Sequence, residues 1–204
     1  MGHTSTVIGI SDHYGRAVCV AVSARDGSPV VIDRREIKLI EPGIPASPYH
    51  HETLEMEPAE AEALVQKALK SARSCAHRAL KELCSSGEIG KVTGVVLREP
   101  PLPHLPGSVA EAHQSYNVTN RADGMIYHDA LCRAASELGL DVEWIPRGKE
   151  LGRAAEVLGV APQRLEGWLA ELRETMGPPW QKDHRESTAR AIVGLGKLTK
   201  LELS

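Results

Sequence analysis

The sequence predicts an α/β protein in which helices flank a mixed five-stranded sheet. Three observations lead to this prediction: three short β-branched runs open the chain, a long amphipathic helical pattern follows, and two later apolar runs of strand length are separated by helical stretches. The 204 residues are 25% charged and 42% hydrophobic, which is typical of globular proteins and suits a single domain over 1–204.

The first three runs predict an antiparallel meander. Residues 6–10 and 17–23 are rich in β-branched side chains and flank a turn-like segment at 12–16, and Asp26-Gly27 precedes a third run at 29–40. The third run alternates apolar and charged residues. We therefore expect an outer strand with one face in solvent.

The later elements alternate helices with strands. Over 58–84 apolar residues recur at every third and fourth position, which is the helical period, and Pro58 suits a first turn. Further strands are expected at 92–97 and 141–145, with a helical stretch between them that breaks near residues 117–119. Helices are then expected at 148–158, 162–176 and 183–195, and we interpret 148–178 as a helical insertion before the last helix.

Polar clusters follow four of the five predicted strands. Right-handed crossovers place the fourth strand beside the first and parallel to it. The carboxyl ends of strands one, three, four and five then open on one edge, the usual place for a site in an open sheet. The clusters at that edge are Ser11-Asp12-His13, Tyr49-His50-His51-Glu52, Arg98-Glu99 and Arg147-Gly148-Lys149.

This order of elements resembles the ribonuclease H-like fold, whose sheet has the spatial order 3-2-1-4-5. Metal-dependent nucleases of that superfamily, including Holliday-junction resolvases, carry carboxylates in strand one, at the end of strand four and at the head of the last helix. The matching elements of this chain contain Asp12, Glu99, Asp183 and Glu186. The resemblance implies that these four would bind Mg²⁺ or Mn²⁺, one ion activating water and the other stabilising the leaving oxygen.

Strand one departs from the nuclease pattern. Those enzymes have the sequence Gly-Ile-Asp in this strand, whereas this chain has Gly9-Ile10-Ser11. The hydroxyl of Ser11 therefore occupies the position at which the first metal-binding carboxylate is expected. Asp12 comes one residue later and would point to the opposite face of the strand unless a turn begins at Ser11. The spacing of Asp183 and Glu186 is also that of a helix N-cap with a reciprocal carboxylate.

Motifs spread over most of the chain resemble those of a group of bacterial hypothetical proteins. The motifs are Ser11-Asp12-His13, Pro48-Tyr49-His50-His51-Glu52, Arg121-Ala122-Asp123-Gly124 with Tyr127, and Gly177-Pro178-Pro179-Trp180 with Lys182 and His184. No activity is assigned to that group. The resemblance therefore implies that the proteins are related, but it does not imply a particular activity.

Several histidines are candidates for proton transfer or metal ligation, although each could instead hydrogen-bond the backbone. In an extended chain His50 and Glu52 face together and His51 faces away, and Asp12 could orient His13. Three other histidines, His77, His113 and His128, have no partner at metal-ligand spacing. The candidate catalytic residues are Asp12, His13, His50, His51, Glu52 and Glu99.

Charge and motif content narrow the possible partners. The net charge is −3 and neither 1–141 nor 142–204 is strongly basic, so charge does not support a nucleic-acid partner. The chain has no phosphate loop and no dinucleotide fingerprint, which predicts no nucleotide cofactor. It has no apolar run long enough to span a membrane and no export signal. We therefore expect a cytoplasmic protein without a membrane partner.

Three functions remain open at this point. The leading hypothesis is a divalent-metal-dependent phosphodiester hydrolase or nuclease-like enzyme, because the four carboxylates and the histidines are expected at one edge of the sheet. Its rival is a non-catalytic binding or scaffolding protein that kept the ribonuclease H-like sheet and lost the metal site. A metal-independent hydrolase built on the His-Glu cluster is a weaker third hypothesis.

Overall fold

The computed structural model describes residues 5–203. Five strands form one sheet in the spatial order β3-β2-β1-β4-β5, where β1 to β5 are Ser5–His13, Arg16–Arg25, Ser28–Lys38, Lys91–Arg98 and Asp141–Ile145. Antiparallel pairing joins β1 to β2 and β2 to β3, whereas β4 is parallel to both β1 and β5. The predicted α/β class and sheet order are confirmed.

Helices cover both faces of the sheet. One face carries α1 to α3, which are Pro58–Ser85, Val109–Ala112 and Tyr116–Glu137. The other carries α4 to α6, which are Glu150–Leu158, Pro162–Met176 and Lys182–Gly196. Two of these helices, α4 and α5, lie within the segment 148–178 that we interpreted as an insertion. None of the described helices combines the length and apolarity that crossing a membrane requires.

Successive residues of β1 enter two different cores because side chains alternate along a strand. Ile8 and Ile10 are fully buried in the core beneath α1 and α3. Val7 belongs to the second core, with α6. Gly9 also faces α6, and a Cβ at this position would overlap the Ser187 carbonyl group. The strand and α6 therefore approach each other closely at the point where the first polar cluster begins.

Three local predictions were wrong. The expected turn at 12–16 is shorter, because β1 continues to His13 and pairs with β2 up to that residue. The helical break lies at 113–115 and not at 117–119. Ser115 caps the helix that follows the break, because its hydroxyl accepts a hydrogen bond from the Val118 amide at 3.3 Å. The segment Pro48–Glu52 is one turn of π-helix and not extended chain.

Candidate functional site

Ser11 faces α6 and is bonded to a buried arginine. The Arg190 guanidinium donates to the Ser11 hydroxyl at 2.6 Å, to the Ile10 carbonyl at 3.2 Å and to a Glu150 carboxylate oxygen at 2.6 Å. Only 1% of Arg190 and 3% of Glu150 is exposed. A guanidinium therefore lies beside the strand-one position at which the nuclease resemblance expects a metal-binding carboxylate.

The two carboxylates at the head of α6 also have partners within the protein. Glu186 lies 3.3 Å from the Arg190 guanidinium and 3.5 Å from the Lys182 ammonium group. The Asp183 carboxylate lies 2.9 Å from Nε2 of His13, and both side chains are partly exposed. The structure thus places Asp183 and His13 together, on the same side of the sheet as Ser11.

Contacts outside the Asp183–Glu186 pair hold the start of α6. The backbone amide of Gln181 donates to Nδ1 of His184 at 3.2 Å, so these residues, and not the predicted carboxylate pair, form the contact at the helix start. Arg34 of β3 donates to backbone carbonyls of the segment before the helix, namely those of Met176, Gly177, Pro178 and Pro179. Asp183 and Glu186 are therefore available for their side-chain partners.

Asp12 lies on the opposite face of β1 and is only 1% exposed. Its Oδ1 is 3.0 Å from Nε of Arg98, and its Oδ2 is 3.7 Å from Nδ1 of His128. Arg98 also donates from Nη2 to the Asp12 backbone carbonyl at 2.5 Å. Burial favours a raised pKa for Asp12, but His128 and Arg98 outweigh it and lower the pKa. The carboxylate is therefore ionised between two cationic side chains.

His128 of α3 carries a positive charge at neutral pH. Burial lowers the pKa of this imidazole, but the neighbouring Asp12 and, in addition, Cys132 outweigh that effect and raise the pKa to about 9. Sequence reasoning missed this residue, because its charged partner Asp12 lies far from it in the chain. The pairing with Asp12 forms only when α3 packs on the sheet.

The Asp12–His128 pair predicts a loss of stability at alkaline pH. The folded pKa of about 9 lies above the value of about 6.5 for an unfolded histidine. The stabilisation is complete below about pH 6.5 and is lost as the pH rises through 9, amounting to roughly 3 kcal/mol. We expect the free energy of unfolding, measured in urea at several pH values between about 6.5 and 8.5, to decline accordingly and His128→Gln to remove this decline. Above that range the buried thiol of Cys19, whose pKa burial raises to about 12, contributes a decline of its own.

An exposed histidine supplies the control for this measurement. His77 of α1 bonds Glu137 at 2.9 Å on the surface, so His77→Gln should keep the alkaline decline of the wild type. A His128→Gln variant that declined as steeply as the wild type would show that His128 is not the titrating group.

Asp123 anchors the π-helical segment Pro48–Glu52. Its carboxylate accepts hydrogen bonds from the backbone amides of Tyr49 at 2.9 Å and His50 at 3.0 Å. Burial raises the pKa of Asp123 to about 6, although these two hydrogen bonds oppose the rise. The Tyr127 hydroxyl donates to the Ala46 carbonyl at 2.8 Å, just before the segment. The motif around Asp123 and Tyr127 therefore holds this segment against α3.

The predicted cluster of His50, His51 and Glu52 does not join the Asp12 group. The rings of His50 and His51 contact each other with centroids 4.3 Å apart, and His50 also contacts Tyr116 at 5.6 Å. His51 and Glu52 are exposed. Within residues 5–203 no side-chain hydrogen bond or ion pair links this cluster to Asp12, so its catalytic role stays a prediction.

A cleft with a volume of about 360 Å³ opens at the carboxyl ends of β4 and β5. Three arginines line it: Arg98 ends β4, Arg121 belongs to α3, and Arg147 follows β5. Glu99 and Tyr14 contribute to the same walls. We call this feature the arginine cleft. Glu99, a predicted metal ligand, therefore borders a cleft in which most of the charged side chains are cationic.

The four predicted metal ligands, Asp12, Glu99, Asp183 and Glu186, do not form one group. Asp12 lies on the α3 side of β1, whereas Asp183 and Glu186 lie on the α6 side. Across the described part of the chain no three His, Cys, Asp or Glu side chains are placed to hold a metal ion. The donor set fits a divalent ion poorly, because Arg98 and His128 already flank Asp12, and Arg190 lies beside Glu186.

Solved structures with similar folds include two of Thermus thermophilus RuvC. One RuvC structure is 12% identical, covers 95% of each chain and has a TM-score of 0.53. RuvC in complex with a Holliday junction substrate is 14% identical, covers 95% of this chain and 94% of that one, and has a TM-score of 0.51. An Aquifex aeolicus member of the Ppx/GppA family is 16% identical over 76% of this chain and 39% of its own, with a TM-score of 0.37.

No protein-family model and no curated protein matches the sequence. The kinship with bacterial hypothetical proteins therefore stays a prediction. At such low identities, the likeness to RuvC establishes the fold alone. The chain has the ribonuclease H-like fold of RuvC, with a buried arginine beside the strand-one position of the expected metal site.

Proposed function

We propose that this protein is a non-catalytic ribonuclease H-like binding protein that has lost the metal site of its nuclease relatives. The observation that carries the proposal is the buried Arg190 guanidinium, which lies 2.6 Å from both Ser11 and Glu150. A guanidinium is permanently charged in proteins. Arg190 therefore supplies the positive charge that a divalent ion would otherwise bring to these oxygens.

The surroundings of Asp12 support the same function. Two cationic side chains, Arg98 and His128, already flank the Asp12 carboxylate. A divalent ion bound there would be repelled by both cations at close range. Asp12 is therefore suited to holding Arg98 in place.

The alternative is the divalent-metal-dependent phosphodiester hydrolase or nuclease. The RuvC-like fold supports it, since one similar structure contains RuvC with a Holliday junction substrate. The partial exposure of Asp183 and Glu186, at 26% and 24% of their side chains, also favours it, because ions from solvent could reach these oxygens. In that case Asp183 and Glu186 would hold Mg²⁺ or Mn²⁺ in competition with Arg190.

Binding of Mn²⁺ distinguishes the two functions. We expect the melting temperature of the wild-type protein to be the same in Mn²⁺ and in EDTA, because a ligand raises stability only when it binds the folded state. A rise in Mn²⁺ that Glu186→Gln abolishes and Glu156→Gln preserves would contradict the proposal. Glu156 is the matched control, an exposed carboxylate on α4. Mn²⁺-dependent cleavage of a Holliday junction, lost in Glu186→Gln, would contradict it as well.

A further inference from the structure

We propose that the arginine cleft binds the dianionic phosphate of a small phosphomonoester. This inference rests on the proposed function and deepens it, because it names the class of ligand that the binding protein would take at this edge of the sheet. The ligand would be held by arginine side chains and would need no metal ion.

The shape of the cleft suits a small molecule. Its three arginines come from the end of β4, from α3 and from the segment after β5, so three separate elements each contribute a cationic residue to its walls. A volume of about 360 Å³ falls at the lower end of the range for small-ligand sites. Duplex nucleic acid requires an extended basic surface, whereas this protein has a net charge of −3 and concentrates positive charge locally.

The charge of the cleft suits a dianion. Arg121 and Arg147 are exposed, and neither makes a side-chain hydrogen bond or ion pair with the rest of residues 5–203. Arg98 has the Asp12 carboxylate as its counter-ion at 3.0 Å, so the other two arginines of the cleft supply the charge that a ligand would neutralise. Glu99 offsets only part of this total. Planar guanidinium groups match the oxygen geometry of a phosphate.

Arg98 is fixed before any ligand arrives. Its Nε and Nη2 atoms are held by the Asp12 carboxylate at 3.0 Å and the Asp12 carbonyl at 2.5 Å, while Nη1 has no partner among the described residues. The Tyr14 hydroxyl donates to the Asn120 carbonyl at 2.7 Å and fixes another wall. Such preorganisation lowers the entropy cost of binding. It also gives the buried Asp12 a positioning role.

Calorimetric titration in EDTA tests the inference with inorganic phosphate and AMP as probes. We expect both to bind the wild-type protein and adenosine not to bind. The double variant Arg121→Gln/Arg147→Gln should weaken phosphate and AMP binding at least about tenfold, because it removes two charge-assisted contacts. The control Arg133→Gln/Arg153→Gln changes the charge equally at exposed positions on α3 and α4 and should leave both affinities within about twofold.

Three outcomes would overturn the inference. The first is that the wild-type protein does not bind phosphate in EDTA. The second is that the double variant Arg121→Gln/Arg147→Gln binds phosphate as tightly as the wild type. The third is that an unphosphorylated oligonucleotide binds more tightly than AMP and that its binding depends on Arg121 and Arg147 in the same way. The last result would assign the cleft to a polymer. Because EDTA removes divalent ions, the result of the phosphate titration does not depend on the result of the Mn²⁺ melting experiment, which tests the proposed function.

Discussion

Replacing Arg190 by methionine is expected to lower the free energy of unfolding by about 3–5 kcal/mol. Methionine fills much of the same volume but leaves Glu150, which is 3% exposed, as a buried charge without its counter-ion. The Ser11 hydroxyl loses a donor at 2.6 Å in the same step. Urea denaturation followed by circular dichroism at neutral pH measures the loss.

Two further variants make this test specific. Arg185 lies on the same helix and is exposed, so Arg185→Met should change stability by no more than about 0.5 kcal/mol. Adding Glu150→Leu to Arg190→Met should recover much of the loss, because an apolar replacement of a whole buried ion pair is often neutral. A loss below about 1 kcal/mol for Arg190→Met alone would show that the buried network does not hold α6 to β1.

Gly9→Ala is expected to cost about 3 kcal/mol or more, at the upper end of the range for overpacking. The added methyl group would overlap the Ser187 carbonyl and lie 2.9 Å from the Ala191 amide nitrogen. These are backbone atoms of α6, so no side-chain rotation can relieve the clash. The same urea denaturation measures the effect.

Gly152→Ala is the matched control for Gly9→Ala. Gly152 lies inside α4, and a methyl group there would meet no atom within 4 Å. Alanine is the better helix former, so this variant should gain about 0.5–1 kcal/mol. Equal stabilities of Gly9→Ala and the wild type would mean that α6 lies further from β1 than described.

The sheet order was predictable because it follows from short-range patterns. The β-branched runs mark the strands, and right-handed crossovers leave few ways to connect them. The opposite orientations of Ser11 and Asp12 were also predictable. Side chains alternate between the two faces of a strand, and β1 continues through both residues. The conformation of Pro48–Glu52 was not predictable, because a distant carboxylate, that of Asp123, fixes it.

The ionic partners of the site were not predictable from spacing. Arg190 bonds Ser11 across 179 residues of chain and Glu150 across 40, and only the tertiary fold brings them together. One signal was nevertheless present in the sequence. Arg190 interrupts the apolar run around Ala189, Ala191 and Ile192, and a charge at such a position is buried only with a partner. That signal could have identified the guanidinium, although not its partners.

Ser11 and Asp12 are neighbours on β1 that bond to opposite layers of the protein. If β1 slipped by one residue along its neighbours, each side chain would turn to the other layer. Asp12 would then lie beside Arg190 and compete with Glu150 and Glu186 for this guanidinium, while the buried His128 and the partly exposed Arg98 would lose their counter-ion. Misaligned pairing of the central strand therefore carries an ionic penalty, and the buried charges help to select a single alignment of the sheet during folding.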